Sequence, residues 1–424
     1  MELIVTLPPS PERNRQEVEL RILLGTAWMA RKSHGAPEVW TSLHPALGLA
    51  KSLSRREAFL PIYYGLWVNV MLQGRVAESL DWANETLAMA EASDDSDLLL
   101  VAHQAACCTY FYRGDVTQSH VHGDRVLVLY SEEQHRHLAD LTNQDSKSVV
   151  GLVLSLDTWM LGYPDRATQM LQTTDTHARR RGHPFDLGWV LTLGCWLWDF
   201  RCAPASMLVR VEEAEWLGRT HSLPFISEVM AQLWKGVAWL RSGRLAEGIA
   251  QLRGALERWD AHGVETMVPY YRAVLATGLA LSGDLAGGLR LIEESLSQIA
   301  RPGWEERWRL AEVLRLKGEL MLCAGEKGKR GKGEEANFPD PKSQILDPES
   351  EAEGCFLRAI EVAQSQQAKS WELRTATSLA RLWQQQGKHH EARTMLSEVY
   401  NWFTEGFETK DLQEAKALME ELSH

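Results

Sequence analysis

Ser242-Gly243-Arg244-Leu245-Ala246-Glu247 is a short glycine turn set between two helical patterns, and it decides the fold because it recurs. Related turns read Gln73-Gly74-Arg75-Val76-Ala77-Glu78, Arg113-Gly114-Asp115-Val116, Leu161-Gly162-Tyr163-Pro164, Ser282-Gly283-Asp284-Leu285 and Gln386-Gly387-Lys388-His389. From Gly74 to Gly283 the intervals are 40, 48, 81 and 40 residues. The longest is two periods, so a degenerate turn is expected near Cys202, and Gly35 marks a weaker, earlier member. Self-similarity at a fixed period is the signature of a repeat architecture. Glycine takes the left-handed conformation that ends one helix, and a short connection sends the next one back antiparallel.

On either side of these turns the apolar residues follow helical spacing. Leu245, Ile249, Leu252, Ala255 and Leu256 follow Gly243, and Leu285, Leu289, Ile292 and Leu296 follow Gly283. No stretch of comparable length alternates with period two, so strands are not supported. The chain therefore reads as all-α, a right-handed superhelical solenoid of antiparallel helix pairs, about eight pairs of roughly 40 residues occupying 1–424 as one unit. Gly325 lies 27 residues before Ala352, where Gly387 lies only 5 before Ala392. The surplus falls in 326–350, EKGKRGKGEEANFPDPKSQILDPES, whose composition predicts a flexible loop inserted within one pair. Residues 409–424 contain the amphipathic run Leu412 to Leu422 and are expected to form a capping helix.

A chain of 424 residues exceeds what one compact core usually serves, and 45% hydrophobic with 24% charged residues excludes wholesale disorder. The net charge of −12 argues against nucleic acid as a partner, since gripping a phosphate backbone needs a basic face. Charges cut the most apolar stretches (Asp157 within Val149 to Met160, Arg272 within Val268 to Leu281), so no membrane span is expected. The start, MELIVTLPPSPERNRQ, has no secretory pattern. Six cysteines without CxxC spacing, set inside helical patterns, read as buried thiols in a reducing compartment, the cytoplasm.

Motifs that carry chemistry are not supported. The glycine- and lysine-rich run Gly325 to Gly333 lacks the GxxxxGK spacing followed by Ser or Thr that cradles phosphates. His120 and His122, or His135 and His137, are two apart, which on a helix sends the rings in different directions. No HExxH or GxSxG is present, so no metal, no cofactor and no enzymatic activity are expected. The 17 tryptophans, among them Trp67, Trp159, Trp239 and Trp383 near turns, either fill gaps between helices or anchor a partner.

Glu351-Ala352-Glu353-Gly354-Cys355-Phe356-Leu357-Arg358-Ala359-Ile360 resembles the second helix of a tetratricopeptide repeat, and Gly236, Trp239 and Gly318 resemble its first-helix positions. That family binds a protein or peptide with the inward surface of each first helix. Carrying those positions over gives a concave groove of Tyr64, Gln104, Trp159, Trp189, Trp196 and Tyr270, then Arg315, Glu319, Arg374 and Arg381. The implied groove is aromatic at its start and charged at its end.

A closer resemblance covers nearly the whole chain. Gln367 to Arg374, Ser378 to Lys388 and Trp402-Phe403-Thr404-Glu405-Gly406-Phe407 look like the C-terminal repeat region of large bacterial signalling proteins. Tyr163-Pro164-Asp165-Arg166-Ala167 and His183-Pro184-Phe185 are similar to the same region, and Leu7 to Arg13 to the junction before it. In such proteins a nucleotide cyclase or kinase domain and a P-loop ATPase switch precede the repeats. The resemblance implies a non-catalytic sensor that holds or releases the ATPase, either as one piece of a larger protein or as a chain acting in trans. The alternative is a scaffold that joins partners without switching anything. An elongated array, each repeat touching only its neighbours, would suit the sensor.

Overall fold

The computed structural model describes residue 8 and residues 10–331 and 348–423. Among the described residues every regular element is helical, no strand is present, and no helix is long and apolar enough to cross a membrane. Consecutive helices pack as pairs along the chain. The first pairs are α1 (Pro11–Arg31) with α2 (Pro37–Ser52), α3 (Phe59–Leu72) with α4 (Val76–Ser93), and α5 (Ser96–Arg113) with α6 (Val116–Leu129). Two short helical turns, Glu132–His135 and Leu138–Thr142, lead to α7 (Ser146–Met160) and α8 (Pro164–Arg181). Next, α9 (Pro184–Leu193) and α10 (Cys195–Phe200) pack together on α11 (Pro204–Thr220). A π-helical turn, Phe225–Met230, runs into α12 (Ala231–Arg241), which pairs with α13 (Leu245–Asp260). Then come α14 (Val268–Leu281) with α15 (Leu285–Ile299), α16 (Leu310–Gly331) with α17 (Pro348–Ser365), and α18 (Lys369–Gln385) with α19 (His389–Tyr400). A last helix, α20 (Lys410–Glu421), buries Leu412, Ala415 and Leu418 in one cluster with Leu373 and Ala376 of α18.

The helix boundaries have local causes. Asp95, Asp115 and Asp284 accept the backbone N–H three residues on, at 3.0, 3.1 and 2.8 Å, satisfying donors that a helix start leaves free. Pro164, Pro184 and Pro204 open three helices where their missing N–H costs nothing. The degenerate turn expected near Cys202 is present between α10 and α11, with Cys202 itself at φ 54. Helix α16 continues to Gly331 and α17 begins at Pro348, so both ends of the expected 326–350 loop are helical. The remainder of that loop, 332–347, lies outside the described residues.

Contacts are not confined to neighbouring pairs, contrary to the sequence expectation. The last carbonyls of a helix have no partner within it. In α3, α5, α7 and the turn of α10, these carbonyls accept hydrogen bonds from chain far downstream. Leu72 O takes the N–H groups of Glu265 and Thr266 at 2.7 and 3.1 Å, and Tyr112 O those of Arg307 and Trp308 at 2.8 and 3.3 Å. Trp159 O accepts from the Ser370 hydroxyl at 2.5 Å and Phe200 O from Arg374 at 2.6 Å. The early and late halves therefore share one apolar core running from Val18 to Trp371.

The turn glycines record this contact. Gly74, Gly162 and Gly243 all have positive φ, at 78°, 95° and 80°. A Cβ at Gly74 would overlap the Trp304 ring and one at Gly162 the Trp402 ring, whereas Gly243 has nothing within 4 Å. Left-handed strain is common to all three, and overpacking adds to it only where later chain lies across the turn. Gly74→Ala and Gly162→Ala are expected to lose about 1–3 kcal/mol more stability than Gly243→Ala in urea unfolding. Equal losses would show that the late segments do not press on these turns.

Candidate functional site

The first helix of each pair turns its inner face towards the others, and the downstream chain crosses that face. Phe111 and Trp308 rings lie 4.3 Å apart, Trp196 and Trp308 4.8 Å, Trp159 and Phe200 4.6 Å, and Trp159 and Trp371 4.7 Å. Trp196 Nε1 donates to the Tyr271 hydroxyl at 3.0 Å. Tilted and edge-on aromatic pairs of this kind add roughly 0.5–1.5 kcal/mol each beyond the area they bury. Tyr64, Gln104, Trp159, Trp189, Trp196 and Tyr270 are all buried, none more than 8% exposed. The expected open aromatic groove is thus a filled core. The offsets placed these residues on the correct inner face but assumed nothing lay across it. Tyr64 shows why: its hydroxyl donates at 2.8 Å to Gln144, which belongs to the extra residues of the 48-residue interval.

Two charged residues sit in the middle of this core. Glu306 accepts the Met267 N–H at 2.9 and 3.0 Å and the Trp308 indole N–H at 3.2 Å. Burial pushes its carboxyl up to about 7 in spite of these donors and of Arg309 nearby. Arg309 is 4% exposed, and its guanidinium has no hydrogen-bond acceptor among the described residues. It lies over the rings of Tyr270, Trp308, Trp196 and Phe200, at 3.7, 4.0, 4.6 and 4.8 Å from their centres. Attraction to ring faces offsets part of its desolvation, and burial still pulls its pKa below the ordinary arginine value.

The polar end of the inner face forms a cavity of about 180 Å³. At its back, Asp199 accepts from Arg241 Nε at 2.8 Å and from the Tyr270 hydroxyl. Arg315 grips Glu312 through two bonds of 2.8 and 3.0 Å and reaches Glu319 at 3.2 Å. Arg374 holds Asp411 through bonds of 3.1 and 2.6 Å, and Arg381 meets Glu414 at 2.8 Å. Three of the four expected charged residues, Arg315, Arg374 and Arg381, therefore line one cavity. Glu319 stands beside it, bonded to Arg315 and to Ser378 at 2.6 Å. Burial acts to raise Glu312, but Arg315 and Arg374 outweigh it and hold the carboxyl down to about 2. Burial pushes the Cys202 thiol in the wall above its ordinary value, away from the thiolate form.

Offsets from the turns missed Asp199, Arg241, Glu312, Lys410, Asp411 and Glu414, which complete the charged wall. A signal existed for two of them. Asp199 is the lone charge in Cys195-Trp196-Leu197-Trp198-Asp199-Phe200, and Glu312 stands three before Arg315 on one helix face. Two further expectations need correction. Cys323 is exposed, because it falls on the outer side of α16 near its end. His135 and His137 converge, reaching the two Asp97 oxygens at 3.6 and 3.1 Å, since a turn and not one helix holds them. Among the described residues no cluster of three or more His, Cys, Asp or Glu side chains can hold a metal ion. No family model matches the chain, and no curated protein matches it.

The buried carboxyl of Glu306 makes a pH prediction. Its pKa is raised from 4.5 unfolded to about 7 folded, so its contribution is fully present below pH 4.5 and is lost as pH rises through 7. Wild type is expected to lose stability relative to Glu306→Gln across that window, by roughly 1 kcal/mol per pH unit, measured as urea midpoints from pH 4 to 8. Parallel pH profiles would place Glu306 in contact with water.

Proposed function

We propose that this chain is a non-catalytic regulatory arm, a right-handed tetratricopeptide-like solenoid that binds protein and controls a bacterial signalling ATPase coupled to a nucleotide cyclase or kinase. The ATPase and its output domain come from the resemblance, and one structural observation supports the regulatory step. Two of the stretches that carry the resemblance, Tyr163 to Ala167 and Trp402 to Phe407, touch each other. Glu405 accepts the N–H groups of Asp165 and Arg166 at 3.0 and 2.9 Å and Arg166 Nε at 2.8 Å. Gly406 N–H donates to Asp165 at 2.9 Å, and the Tyr163 and Trp402 rings lie 5.2 Å apart.

This clasp joins the α7–α8 turn to the segment before α20. The Arg166 side chain is 57% exposed, and surface ion pairs contribute only about 0–1 kcal/mol each. The backbone hydrogen bonds and the Tyr163–Trp402 contact add to this ion pair, and a partner can exchange them for its own only if it binds one state of the clasp better than the other. Trp402 and Phe407, 36% and 48% exposed, give such a partner apolar surface at the same place. The cytoplasm is the compartment in which this partner would be met.

The test is to look for a P-loop ATPase reading frame beside the gene, add the chain to that ATPase and follow nucleotide turnover. A several-fold change in rate is expected, shifted in the Glu405→Ala variant, which loses three of the clasp's hydrogen bonds but no core contact. Binding with no change in rate would leave the plain scaffold. Turnover by the chain alone would overturn the non-catalytic reading.

A further inference from the structure

The charged cavity has a chemistry of its own. Its wall, built from α10, α12, α16, α18 and α20, carries five cationic side chains against four carboxylates. What the wall can bind depends on which of their hydrogen bonds are already made. Both oxygens of Asp199, of Glu312 and of Asp411 accept from an arginine or a tyrosine, while Glu414 at the mouth accepts from Arg381 through one oxygen and has Lys410 3.6 Å from the other. The donors are not used up. Arg241 bonds through Nε and one Nη, and Arg381 through one Nη, leaving their other N–H groups without a hydrogen bond among the described residues. Arg374 Nη1 and Lys410 Nζ have carboxylates no closer than 3.6 Å. A wall with spare guanidinium donors and seven of its eight carboxylate oxygens occupied selects a molecule that brings acceptor oxygens and negative charge.

Size limits the choice further. Arg315 and Arg374 overcome burial to hold Glu312 down to about 2, so it stays ionised and paired to them. Arg309, one layer deeper against Tyr270, is a further cation, and Glu319, bonded to Arg315 beside the cavity, a further carboxylate. The volume of about 180 Å³ corresponds to about six waters, room for a small molecule but not for a peptide chain.

We propose that this cavity is a binding site for a small oxyanion, a phosphate or a short dicarboxylate, held by Arg241, Arg374 and Arg381. These arginines stand on α12 and α18, and Arg374 also bonds Phe200 O and Asp411, so the anion ties together the middle and the end of the array. Binding itself does not require the regulatory role. Naming the anion as what the arm senses rests on the reading given under Proposed function.

The full chain is titrated with inorganic phosphate and, separately, with malonate at constant ionic strength, by calorimetry and by melting temperature. Saturable one-site binding of at least one anion is expected, weakened about tenfold in Arg241→Gln and in Arg381→Gln and unchanged in Arg244→Gln, which lies on the outer surface. Arg381 and Lys410 are 48% and 63% exposed at the mouth, so Arg381→Gln and Lys410→Gln keep the test available if Arg241→Gln fails to fold. Phosphate binding alone assigns a phosphate ester, and malonate binding alone a carboxylate. No saturable binding of either, or affinity unchanged in the Arg381→Gln/Lys410→Gln double variant, overturns the site. Anion binding that leaves ATPase control untouched keeps the site and removes only the anion as what the arm senses, whereas loss of ATPase control with anion binding intact removes the regulatory reading, so the two fail separately.

Discussion

Unpaired carbonyls at the ends of the inner helices are the constraint on which the rest of this structure depends. Every helix leaves its last carbonyls without an internal partner, and burying them unpaired would cost about 1–3 kcal/mol each. Here the partners of Leu72, Tyr112 and Phe200 come from chain that begins at Glu265 and ends at Arg374, and Trp159 O, which takes the Gly162 N–H in its own turn, gains the Ser370 hydroxyl as a second donor. Satisfying them brings the starts of α14, α16 and α18 against the ends of α3, α5, α7 and α10. Once there, Trp308 and Trp371 fill the space between the two sets of helices, and a single core spans most of the chain. The consequence is cooperative. In an open array each pair stabilises only its neighbours, whereas this chain also gains from contacts far apart in sequence.

Closure also sorts the inner residues by chemistry. Towards the start of the array the inner face is aromatic, and crossing chain buries it. Towards the end it is charged, and the arginines hold each other apart through matched carboxylates, so a solvent-sized space is left among them. Ion pairs taken out of water are costly unless geometry and further hydrogen bonds compensate. Bidentate pairing of Arg315 with Glu312 and of Arg374 with Asp411 supplies that geometry. Arg309 is the exception, an arginine held by rings alone. Together with Glu306 it places charge where early and late halves meet, so the closure is sensitive to protonation.

The terminal clasp is weaker than the core behind it. Its hydrogen bonds and its Tyr163–Trp402 contact lie at the surface, while the contacts further in rest on fully buried rings. That gradient puts the exchangeable contact at the outer end, where a partner has access to it, and keeps the interior as a fixed base.

Read alone, the sequence determines the helix pairs. The period near 40, the left-handed turn glycines, the aspartate and proline starts and the 3.6-residue apolar spacing are all local, and they locate even the degenerate turn at Cys202. The same offsets find the inner face, so Trp196, Tyr270, Arg315 and Arg374 are identified as inward-pointing residues from the sequence. Only tertiary structure decides what that face meets. Gly74 and Gly243 look identical in sequence, yet one lies under Trp304 and the other in the open. Ser370 and the Trp159 carbonyl, Arg374 and the Phe200 carbonyl become partners only when segments from distant pairs converge. Periodicity encodes the direction in which a side chain points relative to its own helix, and it carries no information on which remote segment will lie opposite.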